Sequence, residues 1–367
     1  MKFDDIFIDE TKLGTKLKTD EYQDFGKYPI IDQGQELIAG YTDREDGLFR
    51  EVPAIIFGDH TRIIKYVDTP FFLGADGVKV LCCKLLDANY RYLYYALRNA
   101  KIPDTGYNRH FKWLKEVQIP YPDSQEQARI VSVLDKIEKI IDRKKKQLQA
   151  LDDLVKARFV EIFGDPVANS SGWNQAALHE VTSKIGSGAT PRGGKESYQA
   201  EGISLIRSMN VHDGQFEYKD LAHITDEQAE QLENVTVKPH DVFINITGAS
   251  VARSCIVPDD VLPARVNQHV AIIRCKQDCI HPVFANNLFL NDRFKGLLLD
   301  IGESGGATRQ AITKQQLEAL LVILPPMELQ EQFGSFVSQV GKSKVAVQKA
   351  LNETQTLFDS LMQKYFG

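Results

Sequence analysis

Two long stretches of the chain carry apolar residues at alternating spacings of four and three. The first stretch holds Ile130, Leu134, Ile137, Ile141, Leu148, Leu151, Val155 and Ile162, and the second holds Phe333, Val337, Val340, Val347, Leu351, Phe358, Leu361 and Tyr365. An average repeat of 3.5 residues makes a narrow apolar seam that needs a partner helix to cover it. The pattern therefore predicts two long helices that pair as an antiparallel coiled coil, since a large block of sequence separates them. An amphipathic helix lying on a domain surface is the alternative for either stretch.

The start of the first helix is marked by several residues. Pro120 and Pro122 prevent an earlier start, Asp123 can cap the helix, and Glu126 stands three residues later. A helix of roughly 39 residues would be about 58 Å long, far longer than an ordinary globular helix. Lys144 and Lys344 interrupt the two seams at similar places, and polar residues at seam positions often fix the register.

The two stretches are copies of each other. Pro120 and Gln125 align with Pro325 and Gln330, and the later segment LDDLVKARF aligns with FDSLMQKYF after two extra residues. Repeats of this kind indicate that the chain was built by duplication. Each copy closes a preceding block of sequence.

The two blocks consist of short β-branched and aromatic runs separated by Gly, Asp and Pro. In the first block, strands are predicted at 52–58, 62–67 and 78–86 and a helix at 90–102; in the second, strands are predicted at 202–211, 241–248, 252–258 and 269–275 and a helix at 281–301. This pattern favours an α+β fold in which two α+β domains are separated by the two long helices. The predicted divisions are 1–118 and 166–318 for the domains, and 119–165 and 319–367 for the helical spacers.

Composition adds limits on the class of protein. The chain has 367 residues, a formal net charge of −6 and five cysteines, which suggests reduced thiols rather than a disulfide framework. The acidic N-terminal segment has no apolar core of a signal peptide, so we expect a cytoplasmic protein. Cys275, Cys279 and His281 lack a second ligand pair, so no metal site is predicted.

Known catalytic motifs are missing from the sequence. It contains no phosphate-binding G-x-x-x-x-G-K-[ST] loop, no G-x-S-x-G nucleophile and no G-x-G-x-x-G that follows a strand. Asn245-Ile246-Thr247-Gly248 lacks the prolines and the aromatic residue that an amino-methyltransferase pocket would need. The sequence therefore favours recognition or scaffolding over catalysis, and no catalytic residue is proposed.

Two kinds of loop carry side chains that suit nucleic acid. The Gly-rich segment 185–202 mixes glycines and hydroxyls with cations, and the segments 105–114 and 305–314 each place an arginine shortly before a closing proline. The candidate DNA-binding residues are Arg62, Tyr107, Asn108, Arg109, His110, Lys112, Arg192, Lys195, Ser208, Asn210, Arg253, Thr308, Arg309 and Gln310. For each of them singly, an ordinary solvated loop residue is an equally good interpretation.

Charge argues against tight binding by the chain alone. Neither block is basic, and the two helical stretches are neutral by count. DNA-binding proteins usually present a basic surface, so we expect a partner subunit to supply part of the contact with phosphates.

Taken together, these features resemble those of a DNA-specificity subunit of a type I restriction–modification system. The resemblance rests on IPYPDSQEQARIVSVLDKIEKII with ILPPMELQEQ, on LDDLVKARFVEIFGDP with FDSLMQKYFG, on GSGATPRGGKESYQAEGISLIRSMNV and on TGYNRHFKWLKEVQIP. It covers nearly the whole chain. One departure is the second helix, which has no arginine and carries Gly334 and Gly341, so this copy is expected to be less regular.

The resemblance implies an architecture and a set of partners. Two target recognition domains would each read one half of a split double-stranded DNA sequence, and the coiled coil would set their spacing. Two modification (methyltransferase) subunits would dock and bring S-adenosylmethionine, and motor–nuclease subunits that use ATP and Mg²⁺ would join in systems that cut DNA. No cofactor is expected in this chain.

Two other functions stay open on the sequence. A coiled-coil scaffold with no DNA role would explain the helices and the acidity, but not the duplicated loops. A stand-alone adenine DNA methyltransferase would need a cofactor motif that is not visible. For a specificity subunit, a change of one turn in helix length should alter the permitted spacer between the half-sites.

Overall fold

The computed structural model describes residues 1–74, 77–106, 108–191, 193–303 and 310–367, apart from the side chain of Lys195. The chain divides into two compact units. Unit 1 contains Met1–Lys146 and Gln348–Gly367, and unit 2 contains Gln147–Val347. The division falls inside both long helices, so each unit contains one of the two sequence blocks and one part of each helix.

Unit 1 begins with seven short strands. They are β1 (Phe7–Asp9), β2 (Tyr28–Ile31), β3 (Gly40–Thr42), β4 (Ala54–Gly58), β5 (Ile64–Val67), β6 (Phe72–Leu73) and β7 (Val78–Cys83). Its helices are α1 (Phe3–Ile6), α2 (Tyr90–Arg98), α3 (Phe111–Leu114) and the start of α4 (Ser124–Phe163). The strands form an antiparallel sheet in the order β1-β7-β4-β5 and a second sheet in the order β3-β2-β6. Every residue of β4 is buried, which explains why this central strand is a continuous apolar run.

Unit 2 repeats this arrangement with more connecting structure. Its strands are β8 (Asn174–Ala177), β9 (Thr182–Ser187), β10 (Ile203–Ile206), β11 (Val211–His212), β12 (Gln215–Phe216), β13 (Ala222–Ile224), β14 (Val242–Asn245), β15 (Ser254–Ile256), β16 (Ala264–Val266), β17 (Val270–Cys275) and β18 (Leu321–Leu324). Its helices are α5 (Asp226–Glu230), α6 (Pro282–Leu290), α7 (Asp292–Glu303), α8 (Lys314–Glu318) and the start of α9 (Met327–Phe366).

The sheets of the two units have the same strand order. The order β9-β17-β14-β15 in unit 2 matches β1-β7-β4-β5 in unit 1, and β13-β10-β16 matches β3-β2-β6. In each of the smaller sheets, the middle strand pairs antiparallel with one neighbour and parallel with the other. The duplication predicted from the helices therefore extends through both blocks, and the predicted α+β fold is confirmed.

The two long helices have the same length, 40 residues each, and begin 203 residues apart. The alignment with two extra residues in the second copy was therefore wrong. The structural equivalents are Gln127 and Gln330, which are both buried and both donate from Nε2 to a proline carbonyl five residues earlier, at 2.8 Å. The sequence Gln-Glu-Gln occurs near the start of both helices, and aligning these two occurrences gives the shifted pairing.

The antiparallel coiled coil is confirmed by contacts inside each unit. In unit 1 the Arg129 guanidinium lies over the Tyr365 ring, and in unit 2 the Arg158 guanidinium lies over the Phe336 ring. Ile130, Leu134, Ile137, Ile141, Phe333, Val340, Val347 and Phe358 are buried, and Leu148, Leu151, Val155, Val337 and Leu351 are half-buried. The seam position Lys344 is satisfied by an ion pair with Asp152.

Gly334 does not make the second helix irregular. It is buried, and a Cβ at this position would lie 2.8 Å from Cε1 of His281. The helix continues through both Gly334 and Gly341, so the expected irregularity was wrong. Gly334 instead lets the helix approach the start of α6 closely.

The helix pair is attached differently in the two units. In unit 1, Arg91 and Tyr95 of α2 contact Asp135 and Glu138 of α4: Arg91 Nε donates to Asp135 at 2.9 Å, and the Tyr95 hydroxyl donates to both carboxylates at 2.7 and 2.8 Å. Burial and the two carboxylates raise the pKa of Tyr95, which keeps the hydroxyl a proton donor. In unit 2 the attachment is aromatic, with ring centroids 4.8–5.7 Å apart among Phe159, Phe163, Phe284 and Phe333.

Two local predictions differ from the structure. The helix expected at 281–301 is interrupted at Asn291, whose side chain accepts hydrogen bonds from the backbone of Arg293 and Phe294 and so starts a new helix. The segment 185–187, assigned to a surface loop, is the end of β9, which pairs with β17.

Candidate nucleic-acid interface

A cleft of about 590 Å³, lined by both polar and apolar residues, opens beyond the end of the central strand β14 in unit 2. Three separate segments bring Ser208, Arg253 and Gln310 together in its lining, and all three were candidate residues. Thr247 and His269 also line the cleft. The fold therefore gathers side chains that lie up to about 100 residues apart in sequence into one surface.

The cleft is shaped by the turn that follows β14. Gly248 has a φ of 77°, a backbone conformation that favours glycine, and its N–H donates to Gln310 O at 2.9 Å. Thr247 Oγ1 is hydrogen-bonded to Nδ1 of His269. On the other side, Asn245 Nδ2 donates to Ser208 O at 2.9 Å, which holds the Ser208 turn against the strand. The position of the lining therefore depends on backbone contacts and not on side-chain packing alone.

The cleft presents both donors and acceptors. Within the part of the chain that the structure describes, the Arg253 guanidinium has no hydrogen-bonding partner, and its side chain is half-buried at the cleft. Gln310 Nε2 donates to Glu303 at 2.7 Å, which leaves the amide oxygen as an acceptor. Arginine and glutamine are the side chains that form paired hydrogen bonds with base edges. The chemistry fits recognition of a nucleic acid.

A second cleft lies in unit 1 and has a volume of about 450 Å³. It is lined by Thr105, Asn108, Arg109, Lys112 and Trp113, and the side chains of Asn108, Arg109 and Lys112 are exposed. This cleft again combines cations with an amide.

The loop of the unit 1 cleft is anchored at the end of β4. The backbone N–H of His110 donates to Asp59 O at 2.8 Å, and Phe111 N donates to Asp59 Oδ1 at 2.7 Å. Asp59 is the first residue after β4 and Thr247 is the second residue after β14, and these two strands hold the same place in their sheets. In each unit, therefore, a loop that lines a cleft is hydrogen-bonded to the chain just after the central strand.

Two candidate residues have structural roles. His110 is 1% exposed; its Nδ1 lies 3.0 Å from Asp59 O and its Nε2 lies 3.3 Å from Thr105 Oγ1. Asn210 is fully buried, accepts from Arg207 N and donates to Glu217 O at 2.9 Å. These contacts use the polar atoms of both side chains and so do not favour a contact with DNA, and the assignment of His110 and Asn210 as DNA contacts stays a prediction.

Arg62 supports the unit 1 loop. It has a φ of 62° and its Nη2 donates to Asp104 at 2.7 Å. The Gly106 amide and then the Arg62 guanidinium hold the pKa of Asp104 below its usual range, so the carboxylate stays charged. Contact of Arg62 with DNA stays a prediction.

The remaining candidates lie outside the described residues. They are Tyr107, Arg192, Thr308 and Arg309, together with the side chain of Lys195. Sequence reasoning missed Thr247 and His269. Thr247 could have been found, because it lies two residues after a buried strand and precedes a glycine.

The described residues also bear on metal, thiol and membrane chemistry. They contain no group of three or more His, Cys, Asp and Glu side chains that could hold a metal ion. Burial raises the pKa of both Cys255 and Cys275 to about 12, so these thiols stay protonated. None of the described helices is long and apolar enough to cross a membrane.

Comparison with known proteins shows that a family model matches most of this chain. The model of the type I restriction modification DNA specificity domain matches residues 1–152 and 170–355. The MjaIX specificity subunit of Methanocaldococcus jannaschii is 25% identical over a region covering 68% of this chain and 60% of that protein. The EcoBI specificity subunit of Escherichia coli is 22% identical, covering 75% of this chain and 64% of that protein.

Another similar protein is the EcoR124I/EcoR124II specificity subunit of Escherichia coli, which is 30% identical over 33% of each chain. The chain therefore spans between about a third and just under two thirds of the length of these relatives.

Solved structures share the fold. The S subunit of a type I restriction-modification system from M. genitalium is 17% identical and superposes with a TM-score of 0.61, covering 100% of this chain and 95% of that one. A chain from a structure of type I R-M complex assembly and conformational transition gives a TM-score of 0.52 at 17% identity, covering 98% and 97%. At this level of identity the likeness concerns the fold.

Proposed function

This chain belongs to the type I restriction modification DNA specificity family, and from that premise we propose that it selects a split double-stranded DNA target. Each unit reads one half of the target through its own cleft. The observation that carries this proposal is the duplicated geometry: two units with the same strand order each have a cleft on a loop that is hydrogen-bonded to the chain just after the same central strand. Two short readouts linked in one chain act as one long, specific site.

The long helices set the distance between the half-sites. Half-sites about one turn apart, roughly 34–36 Å, lie on the same face of DNA. A 40-residue helix is about 60 Å long and can span such a separation. The seam residues support this role because they hold the two helices in a single register.

The partners are two modification subunits that carry the methyl-transfer chemistry. S-adenosylmethionine would bind to those subunits, and this chain would have no catalytic role. A methyltransferase must extrude its target base from the duplex, so a separate chain that fixes the register is useful to it. Motor–nuclease subunits that use ATP and Mg²⁺ would join where the system also cuts DNA.

Methylome sequencing tests the proposal. Cells carrying this chain and its modification subunits should show methylated adenines in one split motif with a fixed spacer. A single uninterrupted motif, or no motif that depends on this chain, would contradict it.

The two clefts can be assigned to the two half-sites with matched variants. Replacing Arg253 by alanine should relax one half of the motif and Arg109→Ala the other, each at a cost of about 1–3 kcal/mol in discrimination. Arg293→Ala is the control in unit 2, because Arg293 is exposed and pairs with Asp165 outside the cleft lining. Equal relaxation of both halves by either variant would contradict the assignment.

A further inference from the structure

The first long helix, Ser124–Phe163, carries nine basic and seven acidic residues, and these are unevenly arranged along it. Most of its carboxylates are engaged in ion pairs: Glu126 with Arg129, Asp135 and Glu138 with Arg91, Asp152 with Lys344, and Glu161 with Arg158. The segment 136–146 has six basic residues against Asp142 and Glu138, of which Glu138 already pairs with Arg91, so this part of the helix keeps a net positive charge.

Four of these cations form one stripe, which we call the cationic stripe: Lys136, Lys139, Arg143 and Lys146. Their spacing of three, four and three places them on one face of α4, away from the apolar seam. All four are exposed, and none has a hydrogen bond or ion pair within the described chain. The stripe is about 15 Å long.

The second helix repeats part of this pattern. The positions 203 residues after the stripe are Gln339, Lys342, Ala346 and Lys349, and both lysines are exposed. Exposed cations thus recur at equivalent outward positions in the middle of both helices. Because the pattern occurs in both copies, a chance run of charged residues explains it less well than a binding surface does.

We propose that the cationic stripe binds the phosphate backbone of double-stranded DNA in the spacer between the two half-sites. This inference rests on the proposed function. Phosphate contacts carry no base information, which suits a stretch of DNA that is not read. A length of about 15 Å spans roughly four phosphates of one strand at about 3.4 Å each.

The composition of the stripe favours phosphate over a protein partner. The cores of protein interfaces are depleted in lysine and enriched in aromatic residues, and this face has three lysines, one arginine and no aromatic side chain. The reading blocks themselves are not basic. The stripe therefore adds a phosphate contact to the few cations of the clefts.

Salt dependence of binding tests the proposal. The full chain in complex with its modification subunits is titrated, at several salt concentrations, with a DNA duplex that contains the motif found by methylome sequencing. Each phosphate contact contributes about 0.9 to the slope of log K against log salt, so replacing all four cations by glutamine should lower the slope by about 3–4. An unchanged slope would overturn the proposal.

A matched control separates local contact from net charge. The double variant Lys139→Gln/Arg143→Gln should lower the slope by about 2. The double variant Lys156→Gln/Arg158→Gln makes the same change in net charge on the same helix, but its cations already pair with Asp292 and Glu161. It should leave the slope unchanged, and equal effects of the two variants would overturn the proposal.

Neutral DNA localises the contact. Methylphosphonate linkages in the spacer should weaken binding of the unaltered complex and have little further effect on the four-residue variant. The four-residue variant could instead lose its modification subunits while the salt slope of DNA binding stays unchanged. That result would mean that the stripe binds protein, and it would overturn the proposal. Equal binding of motif and scrambled duplexes by the unaltered complex would contradict the proposed function, whereas the slope measured on either duplex decides the stripe separately.

Discussion

At the scale of single residues, two buried glutamines secure the starts of the long helices. Gln330 is fully buried; its Oε1 accepts from the backbone N–H of His281 at 2.8 Å, and its Nε2 donates to Pro325 O. One side chain therefore joins the closing strand, the long helix and the start of α6. Gln127 makes the equivalent bond to Pro122 in unit 1.

Replacing Gln330 by leucine should destabilise unit 2 by about 2–3 kcal/mol, because a buried N–H and a buried carbonyl lose their partner. Urea unfolding followed by Trp173 fluorescence in a Trp113→Phe background measures this free energy. Gln332→Leu is the control, since Gln332 is exposed, and its effect should stay within about 0.5 kcal/mol. Equal losses for the two variants would contradict the role of Gln330.

His281 should make unit 2 less stable in mild acid. Burial lowers its pKa, against a smaller opposing effect of Glu331, and its Nδ1 accepts from Val283 N as a helix cap. Because the folded pKa lies below the unfolded value of about 6.5, the unfolded chain binds more protons, and stability is lost as the pH falls below that value.

The test of His281 compares unfolding free energies at neutral and mildly acidic pH. His281→Asn keeps a capping acceptor but does not titrate, so it should lose less stability than the unaltered chain. His240 and Glu331 are present in both proteins. Parallel pH curves would contradict the prediction.

The candidate site was only partly predictable from residue types. Ser208, Arg253 and Gln310 do meet in one cleft, because polar residues in loops beside buried strands tend to collect at strand ends. His110 and Asn210 belong to the same classes of residue, yet both satisfy backbone groups. Sequence does not separate these roles, since short polar side chains that suit base edges also suit local capping.

At the scale of elements, the attachment of α2 to α4 is the most charged contact in the described part of unit 1. Glu138 contacts Arg91, Tyr95 and Arg98, and its side chain is 23% exposed. Loss of its charge leaves two arginines without this partner. The domain should then be held less firmly on the helix.

Glu138→Gln should cost unit 1 about 1.5–3 kcal/mol, the range for hydrogen bonds to charged groups. Unfolding is followed by Trp113 fluorescence in a Trp173→Phe background. Glu126→Gln on the same helix is the control, because its pair with Arg129 is exposed and should contribute less than about 1 kcal/mol. A cycle of Glu138→Gln with Arg98→Met should give a coupling of about 0.5–3 kcal/mol, and strict additivity would contradict direct contact.

Helices and strands were easier to predict where their sequence pattern repeats many times. The helices Ser124–Phe163 and Met327–Phe366 were found because a 3.5-residue repeat was sampled many times. Strands such as Phe7–Asp9 and Gly40–Thr42 were missed, since three residues are too few to show an alternation. The break at Asn291 was readable in principle, because asparagine before Asp-Arg is a good helix cap.

At the scale of the whole molecule, each unit needs parts of both long helices. Its seam is completed by residues that are distant in sequence, as Ile141 and Phe358 illustrate in unit 1. A change of helix length must therefore be made in both helices at matching places. The unit boundaries after Lys146 and Val347 provide such places.

Insertion of one heptad after Lys146 and one after Val347 should lengthen the spacer of the recognised motif and leave both halves unchanged. Seven residues preserve the seam and add about 10 Å, or about three base pairs. Methylome sequencing of the variant measures the result. An unchanged spacer would sink the idea that the helices set the distance.

The split construction of unit 1 also has a consequence during synthesis. The seam residues of α4 leave the ribosome long before Phe358, which covers them. At about 5–20 residues per second, the roughly 200 intervening residues take about 10–40 s. For that time the nascent chain carries an uncovered apolar stripe, which another nascent copy or a chaperone can occupy before the chain's own second helix arrives.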